Sequence, residues 1–203
     1  GRGRLGRSWY APPGTALLFT MVYSAPRELA VRSTMLGALA VAETLREIGV
    51  REVGIKYPND VQIRRRKVCG VLAEAVWTDT VGVALGIGLN VRVDFAGTHF
   101  EQTATSLETA LNQPVDRTQL LKAIVGRIDF WRARLGTEAL PAAWRSCLNM
   151  LGEWVEVRTG SEVLQGIADD VGPDGSLILR DRHGQLRPVW AGDLITPGDG
   201  FPP

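Results

Sequence analysis

The chain has 203 residues, 45% hydrophobic and 22% charged, with a formal net charge of +1. This is the balance of a globular protein with a core of useful size, and near-neutrality argues against a general nucleic-acid binder. No apolar run reaches the length of a membrane span, no signal peptide precedes the chain, and the cysteines (Cys69, Cys147) and histidines (His99, His183) form neither a disulfide framework nor a zinc spacing, so a cytoplasmic protein is expected.

The positive charge is local. The chain opens with Gly1-Arg2-Gly3-Arg4-Leu5-Gly6-Arg7-Ser8-Trp9, and a second basic cluster stands at Arg64-Arg65-Arg66-Lys67. Glycines let a backbone approach a ligand closely, and arginines supply fixed forks for phosphate or carboxylate. The bland alternative for the opening run is a solvated, mobile Gly/Arg segment. Gly1-x-Gly3-x-x-Gly6 has the letters of the dinucleotide fingerprint, but that fingerprint must open a helix. Here the run leads into Pro12-Pro13-Gly14, which cannot be helix interior.

After that breaker, residues 15–23 (TALLFTMVY) read as a strand. From Pro26, apolar residues at Leu29, Met35, Leu36, Leu39, Ala42, Leu45 and Ile48 predict a long amphipathic helix ended by Gly49. Strands are predicted over 53–57, 61–63, 68–77 and 81–91, with Arg64 to Lys67 as a polar connection and a turn near Thr78-Asp79. Thr105-Ser106-Leu107-Glu108 resembles a helix start, and helical patterns cover 116–135 and 138–150. Beyond Leu151-Gly152, short strands over 154–158, 163–167, 176–179 and 186–190, separated by glycine turns, predict a small barrel.

Three further segments could carry chemistry. Lys56-Tyr57-Pro58-Asn59-Asp60 puts polar groups at a strand end, though a plain turn would use the same residues. Lys67 begins the apolar run Val68-Cys69-Gly70-Val71-Leu72, where Gly70 marks either a bulge or a close ligand approach. Gly86-Ile87-Gly88-Leu89-Asn90 strips side chains from one face of a strand, leaving either a slot for a flat ligand or a strand packed tightly under a helix.

Taken in order, GRGRLGR-x-W, K-Y-P-N-D-V, K-x-x-G-V-L-x-E and G-I-G-L-N-V, followed by T-S-L and a small β-module, closely resemble the biotin–protein ligases (holocarboxylase synthetases). The resemblance covers essentially the whole chain. Tyr57 stands where the family most often has Trp, and keeps an aromatic. Family members have an α/β segment before the glycine–arginine loop, with a Ser/Thr-Asn helix start that contacts biotin. The expectation is therefore an N-terminally truncated member; many bacterial relatives also carry a winged helix-turn-helix, which nothing here supports.

The resemblance implies an α+β fold: a mixed β-sheet with helices packed on it, class II synthetase-like, in residues 1–150, and an SH3-like barrel in 151–203. It implies ATP-dependent ligation of biotin to a lysine of a biotin carboxyl carrier domain through biotinyl-adenylate, with magnesium accompanying ATP and no nucleic-acid or membrane partner; relatives commonly form homodimers through an exposed sheet edge, and the sequence does not place such an edge here. Lys67 and Arg4 would be catalytic. Gly1, Arg2, Arg4, Lys67, Gly70, Gly86 and Gly88 would hold biotin; Arg4, Arg7, Trp9, Asn59, Lys67, Val71 and Asn90 would hold the nucleotide, Trp9 covering the adenine. Asp60 is expected near magnesium or as a base, with Lys56 a second choice for a network role. Rival expectations are a non-catalytic biotin or biotinyl-adenylate binding remnant, and a lipoate or octanoyl transferase, which by resemblance lacks the GRGR and K-x-P-N-D combination.

Overall fold

A computed structural model describes residues 1, 3, 6, 8–77, 81–160, 162–190 and 192–196, without the side chains of 76 and 77. Arg2, Arg4 and Arg7, and the turn expected near Thr78-Asp79, lie outside the described residues.

Pro12-Pro13-Gly14 ends the opening loop in a turn, closed by the Thr15 amide and hydroxyl donating to the Pro12 carbonyl. Among the described residues no α-helix follows the glycine run, as the prolines require. β1 (Ala16–Ala25) then enters the sheet. The long helix predicted from Pro26 begins as a 3-10 segment, Arg27–Arg32, before α1 (Ser33–Glu47) takes over; Gly49, at φ +92°, ends it. β2 (Val53–Lys56), β3 (Asp60–Ile63), β4 (Arg66–Trp77) and β5 (Val81–Asn90) complete a sheet of order β1-β5-β4-β3-β2.

Its ladders are all antiparallel among the described residues, because short connections between β2, β3 and β4 permit only hairpin pairing. The parallel part of the expected mixed sheet reduces to two isolated bridges, Ile55 with Leu148 and Lys67 with Ala104. The basic cluster also divides differently from the expectation. Arg64 and Arg65 make the turn at φ +50° and +63°, whereas Arg66 and Lys67 already belong to β4.

One face of this sheet is dry. Val81, Val83, Leu85, Ile87 and Leu89 of β5 are buried beneath α1, whose segment from Met35 to Ala42 is buried all round. α2 (Leu107–Leu111) is a single short turn; α3 (Arg117–Arg132), capped by Asp116 accepting from the Thr118 and Gln119 amides, and α4 (Ala139–Cys147) pack on α1. Gly37 sets how close α1 comes to the sheet: a Cβ there would lie 2.7 Å from Val71 Cγ1 and 3.0 Å from Leu85 Cδ1. Gly37→Val is expected to cost about 1–3 kcal/mol by overpacking, read as a lower denaturation midpoint; an unchanged midpoint would refute the close approach.

The second sheet has β6 (Trp154–Arg158), β7 (Val163–Val171), β8 (Leu177–Arg180), β9 (Leu186–Val189) and β10 (Asp193–Ile195), in order β10-β6-β7-β8-β9, all antiparallel. β10 was not expected from the sequence. This module is fastened to the first sheet: Tyr57 Oη donates to the Val189 carbonyl at 3.1 Å, Arg65 pairs with Glu153, and Arg145 with Asp170. Asn149 also donates its amide to Ile55 O and its side chain to Gln62 Oε1. No helix among the described residues is long and apolar enough to cross a membrane.

Candidate functional site

The other face of the first sheet carries the site. Strand alternation turns Gly82, Ala84, Gly86 and Gly88 of β5 away from α1, opposite Leu18 and Thr20 of β1 and Gly70, Leu72 and Glu74 of β4. All of these but Gly82 line a cavity of about 600 Å³. Gly1, Gly3, Trp9, Asn59, Asp60, Lys67, Gly70, Val71, Gly86, Gly88 and Asn90 all line it, so four separate sequence motifs meet in one place. Lys56, on β2, does not line it.

Lys67 stands at the edge of this floor, with Nζ 2.7 Å from Asp60 Oδ1 and 5.3 Å from the centroid of the Trp9 ring. Its backbone is fixed by the segment that follows β5: Lys67 N donates to Thr103 O, and Thr105 N donates to Lys67 O. A half-exposed ammonium on a clamped strand is a preorganised cation, suited to an anion entering the cavity.

The two asparagines differ. Asn59 Nδ2 donates to Val71 O at 2.7 Å, and Val71 N donates to Asn59 O, so this pair ties the β3 corner to β4. Val71 therefore has its amide committed, and its side chain is buried against α1. Asn90 is 3% exposed; its Nδ2 donates to Thr105 O, while Oδ1 is buried with no partner among the described residues. A buried acceptor left unpaired beside a cavity favours a ligand with an N–H donor there.

Trp9, expected over an adenine, lies against the glycines. A Cβ on Gly88 would come 3.0 Å from Trp9 Cε2, and one on Gly70 2.8 Å from Cζ3. The Trp9 amide donates to Gly1 O at 3.0 Å.

Sequence reasoning missed part of the lining. Phe95, Phe100 and Ala104 come from the segment after β5, and Tyr10 packs on both phenylalanines at 6.1 and 6.0 Å. No motif marks them; the one signal is two phenylalanines bracketing Gly97 directly after G-I-G-L-N-V. Asp193 reaches the cavity from the unexpected strand β10.

Cys69, fully buried beside Lys67, has its thiol pushed far up by burial, which outweighs the lowering by Lys67. Iodoacetamide at pH 8 is expected to leave Cys69 unmodified in the folded protein and to alkylate it fully in denaturant; modification without unfolding would contradict this.

The Biotin/lipoate A/B protein ligase family profile matches residues 1–90. The biotin–[acetyl-CoA-carboxylase] ligase of Mycobacterium tuberculosis is 32% identical, over 96% of this chain and 74% of that protein. The bifunctional ligase/repressor BirA of Escherichia coli is 27% identical; the alignment takes in 96% of this chain but only 62% of BirA's length. Among solved structures, the biotin protein ligase of Aquifex aeolicus in complex with biotin and ATP superposes with a TM-score of 0.81 at 28% identity, covering 96% of this chain and 83% of that one. The motifs, the fold and these likenesses agree, and the chain belongs to the biotin–protein ligase family.

Proposed function

We propose that this chain activates biotin with ATP and transfers it to a lysine of a carboxylase's carrier domain. The observation that carries the reading is the convergence of Lys67, Asp60, Asn90, Gly70, Gly86, Gly88 and the opening loop on one glycine-floored cavity. Its volume of about 600 Å³ lies within the range of small-molecule sites.

In the first step a biotin carboxylate oxygen bonds to the α-phosphorus of ATP and pyrophosphate leaves. The carboxylate is ionised near pH 7, so no base is needed; the obstacle is bringing one anion to another. Lys67 answers it by bridging carboxylate and α-phosphate oxygens, with Arg2, Arg4 and Arg7 as the further cations that the family resemblance assigns to the two anions. Asp60 holds the Lys67 ammonium in position until then. Among the described residues no three His, Cys, Asp or Glu side chains stand together as a metal nest, so magnesium would arrive on the phosphates, with Asp60 the nearest carboxylate to Lys67. We assign the adenine to the side of Phe95, Phe100 and Asn90, with its exocyclic amine donating to Asn90 Oδ1 and aromatic faces beside it. The fused biotin rings take the floor at Gly70, Gly86 and Gly88.

In the second step the neutral carrier amine attacks the acyl carbon, the acyl–phosphate bond breaks, and AMP leaves with the electron pair. Water must be kept from the mixed anhydride during this step. We assign residues 1–150 to this chemistry and 151–203 to the appended β-module, which supplies Asp193 to the rim.

The test is incubation with labelled biotin, ATP, magnesium and a carrier domain. Label on the carrier lysine supports the proposal; biotin binding without transfer would favour a binding protein, and failure to bind biotin would refute both.

A further inference from the structure

The floor expected to take the biotin rings already has an aromatic on it. Gly70 and Gly88 are direct cross-strand partners, and the Trp9 indole lies across both. Three ring atoms, Cε2, Cδ2 and Nε1, fall 3.0–3.3 Å from where a Gly88 Cβ would be, the pattern of a ring lying face-down on the strand. Any side chain on Gly88 or Gly70 would push it out. The next glycine along the same face, Gly86, has no Trp9 atom among its near neighbours; it faces Leu72 O and Thr20 Oγ1.

The seat holds the ring without satisfying it. Trp9 Nε1 is buried with no hydrogen-bond partner among the described residues, although Lys67 lies within cation–π reach at 5.3 Å. A buried N–H left unpaired destabilises that placement relative to one in which the N–H meets water or a ligand acceptor. The ring is thus well packed on one side and electrostatically discontented on the other, as expected for an occupant that can leave.

We infer that Trp9 is a removable plug: its indole takes the Gly70–Gly88 notch, a flat bicyclic ligand must displace it, and the displaced indole then covers the bound nucleotide. This rests on the biotin reading of the cavity. One residue thereby couples the two substrates, since vacating the ring notch frees the lid of the base. Trp9 is a positioning residue here. It competes with the first substrate and assists the second, so its removal has effects of opposite sign on the two.

The experiment measures biotin binding without nucleotide by calorimetry, in the native chain and in Trp9→Ala. A plug that fills the notch most of the time weakens apparent affinity by the reciprocal of the open fraction; Trp9→Ala should bind biotin about fivefold or more tightly and lose biotinyl-adenylate faster. In the native chain, the ¹⁵N-indole resonance of Trp9, assigned by its loss in Trp9→Phe, should move on adding biotin alone. Equal or weaker biotin binding by Trp9→Ala would mean that the indole is a fixed part of the floor, overturning the plug while leaving the ligase reading intact. A Trp9 resonance unmoved at saturating biotin would do the same without any variant of altered stability. No biotin binding by either protein would overturn both.

Discussion

Lys67→Met is expected to slow biotinyl-adenylate formation by between about tenfold and a hundredfold or more, with little change in thermal stability. The lower figures follow from one lost charge-assisted hydrogen bond, worth about 1.5–3 kcal/mol. The effect should lie toward the upper end, because Lys67 has a second task. Its Nζ sits 2.7 Å from Asp60, and with the lysine gone that carboxylate would stand uncompensated where two more anions must meet. The double variant Lys67→Met/Asp60→Asn should therefore recover part of the rate lost in the single one. Stability should hardly respond, since Lys67 and Asp60 keep 34% and 25% of their side-chain surface exposed and pairs of this kind contribute at most about 1 kcal/mol. Single-turnover adenylate formation checks the first claim and a thermal melt the second. A rate within twofold of the native chain would remove Lys67 from the chemistry.

The parts of this site that were legible in the sequence are those where a backbone needs a particular residue. Gly70, Gly86 and Gly88 could be placed on one open face because strand alternation is strict, and the structure aligns Gly70 with Gly88 and Leu72 with Gly86. The Pro12-Pro13-Gly14 break excluded an α-helix after the opening glycines, and none stands there among the described residues. What escaped depended on distant packing. Arg66 and Lys67 read as loop because four basic residues in a row resemble a solvated connection; the left-handed turn uses only Arg64 and Arg65. Phe95 and Phe100 have no local pattern, and reach the cavity because the segment carrying them docks on the backbone of Lys67. β10 is three residues long, too short for any periodicity, yet it brings Asp193 to the rim. The role of Asn59 also changed in emphasis. Its amide holds Val71, so it shapes the corner that presents Asp60.

Trp144→Ala should be among the most destabilising single changes in the chain, costing about 3–5 kcal/mol. Trp144 is 1% exposed, carried on α4, and packs on Tyr57 with ring centroids 6.2 Å apart. Tyr57 in turn donates to Val189 of the second sheet and leads directly into Pro58, Asn59 and Asp60. The cavity left by an alanine would thus open under the corner that presents Asp60 to Lys67, and under one of the fastenings between the sheets. For a chain of this length roughly 2–4 °C of melting temperature goes with each kcal/mol, so a fall of about 6–20 °C is expected. The indole also has a weakness: its Nε1 is buried without a partner among the described residues. Trp144→Phe removes that unmet donor, whose burial costs about 1–3 kcal/mol, along with some packing, so it should lose less than half of what alanine loses. If the two variants melt together, the unpaired indole nitrogen carries no penalty; if alanine melts within 2 °C or so of the native chain, Trp144 does not support the corner at all.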